Sequence, residues 1–166
     1  MQAEVLDSMR VKMRSVEESD AVILVATPQQ PSSVDAGEVQ PVAILELFIG
    51  EDRNIIDTIE LGAGVAERPE RYAWLASMAV SSQFRRQGCA RALLDAVHEK
   101  LHELQCEWAV LSVFPDNQAA MRLYESQGYM SCGEQDTSVL DFLGWRSRVI
   151  MLRPRDDVRS TLGAPL

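Results

Sequence analysis

Apolar residues at Val5, Leu6, Met9, Met13 and Val16 recur in steps of three and four, which predicts an amphipathic helix over residues 2–19. The run AVILVAT (Ala21 to Thr27) is continuous, apolar and rich in β-branched residues. VAILELFI (Val42 to Ile49) repeats that character after a polar connection punctuated by prolines. Together they predict two strands joined by a long loop. Residues 50–70 are acidic and contain glycine, which predicts a loop, and YAWLASMAV (Tyr72 to Val80) predicts a third strand. Leu93, Leu94, Val97, Leu101 and Leu104 trace one face of a helix from Gly88 to about Gln105. WAVLSVF (Trp108 to Phe114) then returns as a strand, giving a βαβ unit. Asp116 or Asn117 can cap a short helix that runs to Gln127 and closes at Gly128. Tyr129 to Gln135 and Ser147 to Leu152 predict two further strands, and the tail 153–166, poor in apolar residues, is predicted to fray. The layout is α/β (α+β): a mixed, mostly antiparallel sheet with a central βαβ unit, in a single domain spanning residues 1–152.

Charge narrows the functions this layout can serve. The chain of 166 residues carries a formal net charge of −9, which argues against a general nucleic-acid or anionic-membrane surface, since both are read through clustered Lys and Arg. Three cysteines, Cys89, Cys106 and Cys132, have no CxxC spacing and suggest neither a disulfide framework nor a thiolate zinc site. MQAEVLDSMR lacks the basic leader and apolar run of a signal segment, and no stretch approaches the ~18 apolar residues of a membrane span.

Against this acidic background FRRQGCARALL (Phe84 to Leu94) concentrates Arg85, Arg86 and Arg91 around one glycine where a helix is predicted to begin. Unpaired amides and the positive end of the helix dipole favour an anion there. Gly88 permits positive φ or close backbone approach, Ala90 is small, and the guanidinium groups can bond phosphate oxygens. A solvated basic turn is the plain alternative. The Gly-Lys-Ser/Thr ending of a Walker loop and the three-glycine dinucleotide pattern are both absent.

RRQGCA has the Arg-x-x-Gly-x-Ala form. MAVSSQFRRQGCARALL resembles the splayed strand, pyrophosphate loop and helix of the GNAT superfamily of N-acetyltransferases, and DNQAAMRLYESQGY resembles that family's later helix. The resemblance covers roughly Tyr72 to Leu152, and two motifs in order with a strand between them are more specific than either alone. It implies the acyl-CoA N-acyltransferase fold and acetyl-CoA as cosubstrate, without a metal. Met78, Ala79 and Val80 match the strand that pairs with the pantetheine arm. Arg86, Gln87, Gly88, Cys89, Ala90 and Arg91 match the pyrophosphate cradle. Asn117 matches a cofactor-contacting side chain, with Gln118 and Ala119 beside it, and Tyr124 matches the acid that protonates the CoA thiolate. Asn117 and Tyr124, about two helical turns apart, share one side of the helix. Without the family, Tyr124 reads as a core aromatic. The resemblance also places the family's first strand and helix ahead of Met1, so both are expected to be missing.

The implied reaction is attack of an amine on the thioester, with amides near Met78 to Val80 on the oxyanion and Tyr124 as general acid. Ser112 stands where some relatives have a glutamate base, so the deprotonation step has no assigned residue. A lysine amine is neutral in roughly one molecule in a thousand near pH 7.4, an α-amine in about a third. This favours protein N-terminal α-amines, with lysine second and small amines as the alternative. Glu46, Glu51, Asp52, Asp57, Glu60, Glu67 and Glu70 could attract the cationic amine or simply be a solvated run. RLYESQGY resembles the N-terminal acetyltransferases, and MRVKMRS and WRSRVIMLRP resemble plant and algal plastid members. That likeness alone implies plastid (chloroplast) residence, with the cytoplasm as the alternative.

Two other readings compete. HEKLH (His98 to His102) satisfies the HExxH pattern of zinc peptidases, but His98 and His102 continue a polar stripe away from the Leu93 and Val97 face, which suits a solvated helix end. A domain that binds CoA without transferring acetyl is the other.

Overall fold

Alternation decides the strands. In the computed structural model, which describes residues 9–16, 21–28, 40–65, 68–135 and 147–161, β2 (Ala21–Pro28) and β3 (Ala43–Gly50) pair antiparallel. Leu24 faces Leu45 and Val22 faces Leu47 across that ladder, all buried. The intervening Ile23, Val25, Ile44 and Phe48 stand on the opposite face, with Ile44 and Phe48 exposed.

The chain forms two compact units, Met1–Phe48 with Leu75–Lys100, and Ile49–Trp74 with Leu101–Leu166. In the first unit the strand order is β1-β2-β3-β4, where β1 is Met9–Val16 and β4 is Tyr72–Val80. The helix α2 (Cys89–Lys100) packs on β2 and β1 with Leu93, Leu94 and Val97 fully buried.

The second unit starts with α1 (Arg53–Ala63) and the first residues of β4. It continues through β5 (Trp108–Val113), α3 (Gln118–Ser126), β6 (Met130–Gln135), β7 (Arg148–Pro154) and α4 (Asp156–Thr161). Its strands run β5-β7-β6, with β7 antiparallel to both neighbours. Ile56 and Ile59 of α1, Tyr72, Trp108, Val110, Ile150 and Leu152 make its core. Gly50 backs onto the Tyr72 ring, where a Cβ would collide with it.

Four expectations are corrected. Residues 9–16 are strand rather than helix: Met9, Val11 and Met13 alternate with Arg10, Lys12 and Arg14, a period of two that the three- and four-residue steps conceal. The rest of the predicted 2–19 helix lies outside the described residues. The acidic stretch after β3 is not all loop, because Asp52 caps α1 by accepting from the amides of Asn54 and Ile55, and Gly64 ends it at φ 60°. Helix α2 stops at Lys100, five residues short of Gln105, and Leu101 to Gln105 turn back, with Gln105 at φ 54°.

The tail contains α4 instead of fraying from residue 153. Charge holds this short polar helix: Arg153 Nη2 donates to Asp156 Oδ1 at 2.9 Å. Arg155 grips Asp157 with two bonds, Nε to Oδ1 at 2.6 Å and Nη2 to Oδ2 at 2.9 Å, and its Nη1 reaches the Cys106 carbonyl at 3.2 Å.

The Arg155 guanidinium lowers the Asp157 carboxyl to about 2. A folded value below the unfolded one gives stability that is complete above about pH 4 and fades as pH falls toward 2. Asp157→Asn is therefore expected to flatten the decline in stability across that window, measured by urea denaturation at stepped pH. An unchanged slope would show that the Arg155 pair does not contribute.

Candidate functional site

Strand β4 changes character along its length. Tyr72, Ala73 and Leu75 are buried, whereas Ala76, Ser77 and Ala79 are exposed and Met78 and Val80 half-exposed. The strand therefore ends with Met78 to Val80 outside the core, and a 3-10 turn (Ser82–Phe84) leads on toward α2. The Ser81 amide, donating to the Val42 carbonyl at 2.9 Å, pins this exit to the segment before β3.

The loop from Arg85 to Gly88 is shaped by backbone twist. Arg86 sits at φ 64° and Gly88 at φ 85°, a conformation that glycine adopts freely and arginine does not. The Gly88 carbonyl accepts from Ala92 at 2.9 Å, the first rung of α2, so the amides ahead of that rung belong to the turn that a helix cannot pair internally. Arg85 turns back, its Nε donating to the Val80 carbonyl at 3.3 Å, and Gln87 Nε2 donates to the Gln83 carbonyl at 2.8 Å. Both brace the loop, while Arg86 and Arg91 are exposed at its rim. Cys89 is buried, and its Sγ donates to the Phe84 carbonyl at 3.4 Å. Burial raises its thiol pKa, so only its backbone is available to a ligand. Ala90 is half-buried beside it.

The remaining candidate residues lie on α3 in the other unit. Asn117 caps that helix through its Oδ1, which accepts from the Ala120 amide at 3.2 Å, and Gln118 Nε2 donates to the Pro115 carbonyl at 2.8 Å. Asn117, Gln118 and Ala119 are exposed. At the other end Gly128, at φ 82°, forms a Schellman closure. Its amide donates to the Glu125 carbonyl at 2.9 Å, and the Tyr129 amide to the Tyr124 carbonyl at 3.0 Å. Buried Tyr129 meets the Tyr124 ring edge-on, with centroids 5.8 Å apart, so the closure fixes Tyr124 in both backbone and ring. Desolvation raises the Tyr124 phenol above its ordinary value and keeps it protonated through neutral pH.

Three further features bear on the chemistry. Ser112 Oγ lies 3.4 Å from Arg148 Nη1, and the Arg148 guanidinium lies 4.5 Å from the centroid of the Phe114 ring. That contact joins residues 34 and 36 positions apart, and only the cationic run WRSR hints at it in the sequence. Of the acidic residues between 46 and 70, Asp52 is taken up as a cap and Asp57 and Glu60 as partners of Arg68; Glu67 lies outside the described residues. His98 is on α2, whereas His102 falls beyond its end, exposed and 3.7 Å from Asp157 Oδ1, so one helix does not carry the HExxH pattern. Among the described residues no group of three His, Cys, Asp or Glu could hold a metal, and no helix is long and apolar enough to cross a membrane.

The model of the acetyltransferase (GNAT) family matches residues 25–129, a span that includes the twisted loop, Asn117 and Tyr124. The chain belongs to that family. A relative from Bacillus subtilis (strain 168), the uncharacterized N-acetyltransferase YdgE, is 34% identical over 61 residues, which span 37% of this chain and 39% of that protein. Arabidopsis thaliana NAA60 in complex with acetyl-CoA superposes with a TM-score of 0.62 at 17% identity, over 86% of this chain and 85% of that one. The NatC complex bound to Gag peptide and CoA gives a TM-score of 0.56 at 17% identity, over 80% of this chain and 70% of that one. These two likenesses show the GNAT fold.

Replacing Gly88 or Gly128, the positive-φ glycines at the site, tests the backbone argument. Gly88→Ala and Gly128→Ala are each expected to cost about 1–2 kcal/mol, measured by chemical denaturation. A neutral change at either site would show that its twist is not needed for the fold.

Proposed function

We propose that this GNAT protein transfers the acetyl group of acetyl-CoA to a primary amine, with protein N-terminal α-amines as its main acceptors. One observation carries the proposal: an uncovered strand end, Met78 to Val80, leads through a loop twisted at Arg86 and Gly88 into the start of α2. Such a helix start suits a pyrophosphate, with Arg86 and Arg91 adding charge and the Gly88–Ala90 backbone giving close approach. The exposed Met78–Val80 edge suits the amide-bearing pantetheine arm. Asn117, Gln118 and Ala119 are assigned to the cofactor as well.

The amine nitrogen attacks the thioester carbonyl carbon, the C–S bond breaks, and Tyr124 gives its phenolic proton to the departing thiolate. The proton released from the new amide nitrogen returns through water to the Tyr124 oxygen. Amides of Met78 to Val80 stabilise the oxyanion between these steps. Ser112 donates or accepts hydrogen bonds but is no general base, which suits an α-amine already neutral in about a third of molecules near pH 7.4. The NatC structure, which holds a peptide and CoA, and NAA60 with acetyl-CoA support this reading by analogy of fold. Action as one domain and residence in the plastid belong to the same proposal, the latter resting on sequence likeness.

Incubation with acetyl-CoA and peptides bearing a free α-amine and an internal lysine, read by mass spectrometry, is expected to show acetyl on the α-amine first. Acetylation confined to lysine or to added small amines would overturn the acceptor assignment. CoA binding without any acetylated product would overturn transfer itself. Tyr124→Phe is expected to lower kcat about 10²-fold while leaving acetyl-CoA affinity in place, and unchanged turnover would remove Tyr124 as the acid.

A further inference from the structure

Arg148 opens β7, opposite Gln135 of β6, at the end of the ladder where β5 gives way to the turn before α3. Its guanidinium is exposed but not loose. It lies over the Phe114 ring at 4.5 Å from the centroid, and Nη1 is 3.4 Å from Ser112 Oγ. Phe114 in turn closes the step into α3, its carbonyl accepting from the Asn117 amide at 2.9 Å. The cation is thus held at the C-terminal end of β5, three residues from the Asn117 cap, in the region of an α/β sheet where ligands bind.

Its charge is conspicuous in a chain of net charge −9. Among the described residues Arg148 makes no ion pair. The Phe114 ring beneath it and the bond to Ser112 anchor the guanidinium, and among the described residues no other side chain accepts from its N–H donors. A planar, pre-oriented fork of this kind matches a carboxylate and loses little rotational freedom on binding. A cationic amine would be repelled from the same place, so the group read there is not the amine being acetylated.

We propose that Arg148 is a specificity-determining residue that recognises a carboxylate in the acceptor, close behind the reacting amine, so that the favoured substrates are acidic N-termini such as those with Asp or Glu in the second or third position. The inference rests on the N-terminal transferase reading above. The net negative charge of the chain works against such substrates, and Arg148 supplies a cation against that background.

The test compares kcat/KM for matched peptides carrying Asp, Ser or Lys in the second and third positions, in the wild type, Arg148→Gln and Arg148→Glu. The wild type is expected to prefer Asp over Lys by about tenfold. The ratio should fall to near one in Arg148→Gln and invert in Arg148→Glu, a reversal that a merely structural role would not produce. A ratio unchanged in either variant, or a wild type indifferent to the substituents, would overturn the role of Arg148 and leave the transferase reading standing. A wild type that acetylates no peptide would overturn the transferase reading, and this inference with it.

Discussion

The passage from an exposed strand end into a buried helix is the constraint on which the candidate site depends. Leu93, Leu94 and Val97 must face the sheet, which fixes the phase of α2, while Met78 to Val80 leave the core in extended form. Only a sharply twisted connection joins the two, and it passes through positive φ at Arg86 and again at Gly88. Packing therefore sets the direction of the first-turn amides, and the suitability of the loop for the proposed anion follows from where the core holds the helix.

Bracing keeps that turn in place. Arg85, itself exposed, is spent on the Val80 carbonyl and Cys89 on burial, so one member of the cationic cluster braces the loop beside Arg86 and Arg91. On α3 an equivalent economy operates: Asn117 begins the helix, Gly128 ends it, and the Schellman bonds that finish it hold Tyr124 against Tyr129. A phenol fixed at both backbone and ring needs little reorganisation to take up the donor role proposed for Tyr124.

Strand β4, strand β5 and helix α3 were legible in the sequence because apolar runs and capping residues agree there, as did the loop, because glycine and arginine types are distinctive. Strand β1 was not, since MRVKMRSV satisfies a period of two and steps of four at once and only its ladder with β2 separates them. Helix α1 was hidden by its acidic surface, although Asp52, Ile56, Ile59 and Gly64 carried the cap, the core stripe and the stop. Helix α4 is held by ion pairs and by Val158 against the core, without an apolar stripe that hydrophobic periodicity could register. The motif showed which site residues to consider but not which way they turn. The inward turn of Cys89, the bracing by Arg85 and the stacking of Arg148 on Phe114 all depend on tertiary placement.

The β4–α2 loop is proposed to hold the pyrophosphate of CoA. Isothermal titration of acetyl-CoA against acetyl-pantetheine, which keeps the thioester arm and lacks the pyrophosphate, tests it most directly. The account predicts that acetyl-CoA binds more tightly by about tenfold or more, and that Arg86→Ala with Arg91→Ala removes most of that difference. Equal affinity for the two compounds would contradict it.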